Sequence, residues 1–350
     1  MDDPVLRTLT LVTLWLLHAH CQANTRIGWS TDLVGYSGPI AIMALDNHWN
    51  GTLEDDDHGF LWHQERLSIR HHDFSLSYVK RHHAEYEFPN DVARGFYYQN
   101  NTITLDQRYS IQSYIQARHY QGEGLSLAHQ WSDDSGQHQW SLEPALTWLK
   151  LHRLVWGKLS GDLFYQAPND WGGDVTLDYG YTRDYVVRRP LDGHTYGNLW
   201  AADLTASYRF QRWQWNYQGH NLLARIQWND LPYTEARFCT ECAFLLKGRE
   251  FFDERTFRAP AVHTLMHRFD LTEHWQLGLT QRVNRIFTTH QWQVHYRHQR
   301  SEWQLGYEPK QQSWHLGFQH PAFTVSVQSD SLNTGRSRRL GLNLGLNVTF

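Results

Sequence analysis

The sequence predicts an all-β chain: an antiparallel meander of strands closed into a transmembrane β-barrel of about 16 strands, with 14 or 18 as the neighbouring even counts. Three observations carry this. The chain closes on LGLNLGLNVTF, where Leu340, Leu342, Leu344, Leu346, Val348 and Phe350 fall on one face and Gly341, Asn343, Gly345, Asn347 and Thr349 on the other. A strand of a soluble domain is usually five or six residues long, whereas about ten cross lipid in a barrel. Mean hydropathy is -0.63, and no apolar run approaches the roughly 18 residues of a membrane helix, so a helical membrane protein is excluded. Aromatic residues make up 15% of the chain, with 17 Trp and 18 Tyr, which suits girdles at two membrane interfaces.

At the other end, MDDPVLRTLTLVTLWLLHAHCQANTRIGW has a short apolar core from Leu9 to Leu17 and small residues before a cleavage point after Ala23. Residues 1–23 are therefore expected to be a signal peptide, although Asp2 and Asp3 beside a single Arg7 make a poor basic start. A lipoprotein reading of Cys21 is disfavoured by the bulky His20 before it. No Pro/Ser-rich linker divides the rest, so 24–350 reads as one barrel domain.

Going along that domain, alternation predicts strands at 37–47 (the weakest), 59–71, 74–88, 106–119, 124–131, 138–149, 155–165, 174–186, 197–210, 213–228 and 259–270. The C-terminal third is a run of short strands. Its pieces WQLGL (275–279), WQLGY (303–307) and WHLGF (314–318) form a weak repeat with Trp and Leu on one face and Gly on the other. HQWQVHYRH, FTVSVQS and the last strand continue the run. Short turns near 71–73, 210–213, 271–274 and 319–322 belong to one end of the barrel, and the long stretch 229–258 is expected to be an extracellular loop. Counted this way there are about 17 strands, one too many for an even number. Counts made from the two ends collide between 132 and 186, which marks that segment as the place where one long strand has been split or one missed.

The final strand, with Leu344, Leu346, Val348 and terminal Phe350, resembles that of the Gram-negative outer-membrane β-barrels, whose closing Phe or Trp serves as an insertion signal. The resemblance covers about the last dozen residues in detail and the rest of the mature chain in pattern only. It implies a place in the cell outer membrane, contact with outer-membrane lipid, and the barrel-assembly machinery as a partner that reads Leu344, Leu346, Val348 and Phe350. It singles out no particular family.

Cys239 and Cys242, spaced CTEC, are expected to form a local disulfide in an oxidising compartment. A zinc site would need two more ligands, which RFCTECAF lacks, and a redox motif would need a βαβ context. The 23 histidines include the adjacent pairs His71-His72 and His82-His83, whose members point to opposite faces of a strand. The candidates for lining the lumen are His295, Arg297, His315, Asn343 and Asn347, with His295 and His315 placed where a third ligand could join them. WSDDSGQHQW gathers Asp133, Asp134, Ser135 and His138, which could be a hydrolytic cluster or simply a polar turn. The inward positions of the late strands are small or neutral, so a barrel of this width would be watery or plugged. A net charge of -4 gives no pull toward nucleic acid. The leading expectation is a porin-like channel for small polar solutes that uses no cofactor. The alternatives are a structural, assembly or surface-interaction barrel of a secretion or envelope system, and a hydrolase at the rim; the oligomeric state stays open.

Overall fold

The computed structural model describes residues 25–46, 49, 51–168, 170–184, 195–240, 242 and 245–350, so the expected signal peptide lies outside the described residues. In chain order the strands are β1 (Thr25–Ser37), β2 (His58–His71), β3 (Phe74–Glu87), β4 (Tyr109–His129), β5 (Trp131–Asp133), β6 (His138–Ala167), β7 (Asp170–Tyr181), β8 (Gly197–Phe210) and β9 (Trp213–Cys239). They continue as β10 (Leu245–Arg258), β11 (Val262–Asp270), β12 (Trp275–Val283), β13 (Thr288–His298), β14 (Ser301–Glu308), β15 (Ser313–His320), β16 (Phe323–Ser329) and β17 (Arg339–Thr349).

Fourteen of these strands form a closed antiparallel ring, with β5, β7 and β10 outside it. Closure is made by β1 against β17, in register from Arg26↔Thr349 to Tyr36↔Arg339. The last strand is thus paired on both sides, and the Phe350 amide donates to the Thr25 carbonyl at 2.9 Å. An edge that would otherwise template aggregation is removed.

The ring has 14 strands and not 16 for identifiable reasons. The predicted pieces 106–119 and 124–131 are one strand, β4, and the pieces 138–149 and 155–165 are one strand, β6. Strands β7 and β8 stand end to end in a single wall position: β6 pairs with β8 through Leu151 and with β7 from Val155 onward. The stretch 37–47 ends in a short helix, Ile42–Asp46, whereas β1, which no prediction contained, begins the ring. The stretch 229–258 is largely paired backbone: the upper part of β9 and all of β10, joined from Leu245↔Cys239 to Arg258↔Arg225.

The two ends differ. One carries the tight connections, several entered through a left-handed residue: His72, Gln211 and Gln299 have φ of 52°, 52° and 53°. The other carries the longer loops, including the helix Asn90–Asn100. At this loop end β4, β6 and β9, of 21, 30 and 27 residues, rise beyond the rest and with β7 and β10 form a projecting wall. The β6–β7 hairpin bends through Gly161 (φ 144°) and Gly173 (φ 140°), where a Cβ would lie 2.2 Å from the Asp174 carbonyl oxygen and 2.1 Å from that of Asp162. Only glycine fits such backbone.

The outside of the ring is apolar. Leu277, Val294, Leu305, Leu316, Val325 and Leu346 are exposed and occupy alternate positions on six strands. Aromatics flank this belt, with Trp275, Trp303 and Phe323 toward the turn end and Trp292 and Trp314 toward the loop end. This is a lipid-facing surface turned outward by the same period-two pattern that turns polar residues inward.

Candidate functional site

The intervening residues face the lumen and divide it into two levels. Toward the loop end, Val34, Tyr36, Phe60, Trp62, Val262 and Phe287 form a buried apolar cluster inside the barrel. A second interior cluster, including Val79, Tyr120, Leu149, Leu199 and Trp228, lies on the β3–β9 side. Val34 pairs with Trp62, and one and two inward steps closer to the turn end come Asp32↔Gln64 and Ser30↔Arg66. Chemistry changes at that step. Below the apolar cluster lies a cavity of about 490 Å³ whose lining is mostly amide, hydroxyl and charged groups.

The register explains why those groups meet. Thr205, Gln218, Thr264, Arg282 and Thr289 form one continuous cross-strand row over β8, β9, β11, β12 and β13. Gln293, Gln304, Gln328, Glu308, His315 and Asn343 continue the lining on β13 to β17. Four arginines, Arg66, Arg268, Arg282 and Arg339, face two lining carboxylates, Asp32 and Glu308. Arg339 Nε lies 3.3 Å from Glu308, Arg282 lies 3.6 Å from Asp32, and Arg268 is held at 3.0 Å by Glu302 in the wall. Arg66 makes no hydrogen bond or ion pair among the described residues, and its Nε is buried without a partner.

Beside the chamber a strut crosses the lumen. Arg81 of β3 is fully buried and donates to Asp203 Oδ2 of β8 at 2.6 Å, to Asn221 Oδ1 at 2.6 Å and to Gln64 Oε1 at 2.8 Å. Thr147 donates to Asp203 at 3.0 Å, and Asn221 donates to the Tyr120 hydroxyl at 2.7 Å. The strands β4 and β6 separate β3 from β8 in the ring, so this network braces the wall from within. Sequence reading did not find it. The signal was an arginine and an aspartate at inward positions of apolar strands, which only a register could pair.

All five lumen candidates sit at inward register positions. His315 and Asn343 line the chamber. His295 is buried in its wall, with Nδ1 2.9 Å from Glu302 and Nε2 3.2 Å from Gln293. Arg297 donates to Glu302 at 3.0 Å. Asn347 lies near the turn end against Gly28, where its Oδ1 would be 2.9 Å from an added Cβ. Among the described residues, neither His295 nor His315 joins a cluster of three potential metal ligands. His82 and His83 point to opposite faces, and His82 Nε2 meets His119 Nε2 at 2.9 Å. The hydrolytic cluster is taken up by a turn: Asp133 accepts from the Ser135 amide and hydroxyl at 2.9 and 2.5 Å, while His138 bonds Tyr208 at 2.7 Å. The Cys239–Cys242 disulfide is formed, with Cα atoms 5.3 Å apart, at the tip of β9.

At the loop end, Asp56 ties β1 to β2: it accepts from the Tyr36 hydroxyl and lies 3.0 Å from His58 Nδ1. Burial alone would raise the Asp56 pKa, but these hydrogen bonds outweigh it and hold the carboxyl well below the usual carboxylate range.

No protein-family model matches the chain, and no curated protein does. Among solved structures, it is similar to the TodX deltaS2S3 mutant monoaromatic hydrocarbon channel at 8% identity and a TM-score of 0.31, over 95% of this chain and 91% of that one. The CymD monoaromatic hydrocarbon channel is matched at 9% identity and a TM-score of 0.27, over 94% and 89% of the two chains. The outer membrane protease OmpT from Escherichia coli is matched at 7% identity and a TM-score of 0.24, over 93% and 97%. The architectural conclusion comes from the barrel's own pairing and faces: 14 antiparallel strands closed on themselves, apolar outside and polar within, are the architecture of an outer-membrane β-barrel.

Proposed function

We propose that this protein is a porin-like channel of the outer membrane that admits small polar solutes selectively. The observation that carries the reading is the chamber: about 490 Å³ of space lined by inward amides, hydroxyls and arginines, inside a ring whose outward residues suit lipid. Buried polar atoms left without a protein partner, such as Arg66 Nε and Arg339 Nη1, have no structural advantage, so their presence argues for a solute that uses them. The apolar cluster around Trp62 and Phe287 acts in this reading as the constriction that makes entry selective. The test is purified barrel in planar bilayers. Discrete conductance steps are expected, and Phe287→Ala should enlarge them, because this side chain comes from the β12–β13 loop and not from the ring. A barrel that inserts but never conducts, with or without that substitution, would sink the channel reading.

The projecting wall supports a second reading, a surface-interaction barrel. Tyr114 and Phe252 are exposed on it well beyond the short strands, as a partner-binding face would require.

A further inference from the structure

We infer that the chamber is a binding subsite for a small hydroxylated carboxylate, a solute of the sugar-acid type; this deepens the channel reading and rests on it.

The argument starts from unpaired atoms. Three unambiguous donors around the chamber have no partner among the described residues: Arg66 Nε, Arg339 Nη1 and Gln291 Nε2. Among the described residues, only one unambiguous acceptor there is unpaired, Glu308 Oε1. Arg339 is 3% exposed and Gln291 8%, so bulk solvent does not readily satisfy them. A buried polar group left unpaired is costly. The imbalance therefore asks for an occupant richer in acceptors than in donors.

Charge points the same way. Asp32 and Glu308 are each engaged by one of the other arginines, and Glu302 holds Arg268; Asp203 and Glu143, the carboxylates whose charge reaches Arg66, are bonded to Arg81 and Arg70, so no carboxylate among the described residues bonds Arg66 itself. A guanidinium with no bonded carboxylate in a confined space attracts an oxyanion, and its planar fork matches a carboxylate. The rest of the lining specifies the remainder of the solute. Thr205, Thr264, Thr280 and Thr289, with Gln64 and Gln218, offer neutral donors and acceptors in register rows, which suits hydroxyl groups. A hydrocarbon would leave the unpaired donors Arg66 Nε, Arg339 Nη1 and Gln291 Nε2 stranded. An inorganic ion would satisfy the arginines and leave the amides and hydroxyls unused.

Purified barrel in detergent is titrated calorimetrically with D-glucuronate, D-glucose, acetate and chloride, and the same preparations are examined in planar bilayers. Glucuronate should bind, with acetate weaker and glucose weaker still. Arg66→Gln should lower the glucuronate affinity about tenfold or more, the usual weight of a charge-assisted pair, while Arg66→Lys restores part of it. Arg66 has no protein partner to lose, so these variants should assemble as the wild type does, judged by heat-modifiable migration. Arg339→Gln, on β17 and separated from Arg66 of β2 only by β1, provides a second measure: it should lower the glucuronate affinity as well. Equal binding of glucose and glucuronate would overturn the anionic assignment, and equal binding of chloride or acetate would overturn the hydroxylated one. If nothing binds while discrete conductance persists, the subsite is refuted and the channel reading stands. If glucuronate binds with the expected Arg66 dependence but no conductance appears, the channel reading fails and the subsite stands.

Discussion

The barrel has two unlike sides. On one, β12 to β17 run from 7 to 11 residues, every second side chain faces lipid, and the loop-end connections between them are short. On the other, β4, β6 and β9 run to 21 residues or more, and the upper parts of β6 and β9 pair with β7 and β10 beyond the ring. On the short side the membrane is the only constraint on a strand, so length, face and turn are set together. On the long side a strand passes from lipid to interior cluster to projecting wall, and the environment of its faces changes along its length. The interior differs correspondingly: buried apolar groups gather on the β3–β9 side, while β11 to β17 present amides and charges.

The largest expected effect lies in the strut that braces the long side. Asp203 is 5% exposed and holds the fully buried Arg81. Asp203→Ala should destabilise the folded barrel by about 3–5 kcal/mol, because it leaves a buried guanidinium without its carboxylate. Replacing both, Arg81→Met with Asp203→Leu, should recover much of this, since removing both charges removes the desolvation penalty. Folding titrations into detergent or lipid would measure both. A single substitution no worse than the double would mean that water, not Asp203, satisfies Arg81, and that the two sides are equally wet.

The next test breaks the faces of the short side. Leu305 is exposed between Trp303 and Tyr307, and Gln304 beside it lines the chamber. Leu305→Arg should cost about 2–4 kcal/mol by placing a charge in hydrocarbon, whereas Gln304→Arg should cost far less in a polar lumen. The same contrast applies to Leu346→Asp against Asn347→Asp on the closing strand. Equal penalties within either pair would refute the assignment of lipid and lumen faces.

This contrast also explains how much could be read from the chain. The repeats containing Gly278, Gly306 and Gly317 located β12, β14 and β15 because nothing but membrane crossing shaped them. On β4 and β6 the pattern broke near Gln121/Gly122 and around His152, where the register shifts and a single strand reads as two pieces. Strand β1 escaped notice because Val34 and Tyr36 are apolar and yet face inward, into the cluster with Trp62, so its alternation is lost. The stretch around Glu235 to Glu250 was polar enough to read as loop, yet polar residues are what a strand standing clear of lipid should carry. The alternating faces of the short side were legible strand by strand. Arg66 and the chamber were not, because a cavity is a property of the ring and not of any strand.

A smaller effect concerns the tip of the wall. Cys239 and Cys242 close a very short loop beyond the ring, so the bond removes little chain entropy and braces only its own hairpin. Changing both to Ser should leave barrel stability within about 2 kcal/mol of wild type. Protease nicking near 240 should increase while the ring still migrates as a folded barrel. Loss of the folded band on reduction would show that the wall and the ring fold as one unit, and that the two sides are less separate than their geometry suggests.

The smallest expected effect is at the seam between the sides, where Asp56 joins the ends of β1 and β2 through Tyr36 and His58. Its carboxyl pKa is depressed in the folded state, so the contribution of this latch is fully present above the ordinary carboxylate value and is lost only as pH falls through the depressed one. The latch should therefore survive acidification to about pH 4, where an ordinary exposed carboxylate is half protonated. Asp56→Asn weakens its bonds to Tyr36 and His58 at every pH. Hydrogen exchange of the Glu54 and Asp57 amides, which donate to the Pro39 carbonyl and to Asp56 Oδ1, corrected for intrinsic rates, should be slow in wild type at both pH 7 and about pH 4 and faster in the variant at both, with exchange on β12 to β17 unchanged. Wild-type exchange that accelerates between those two pH values would mean that Asp56 titrates normally. Acceleration that spreads into β17 would mean instead that the loop-end latch and the closing strand open together, making the seam a point of weakness for the whole ring.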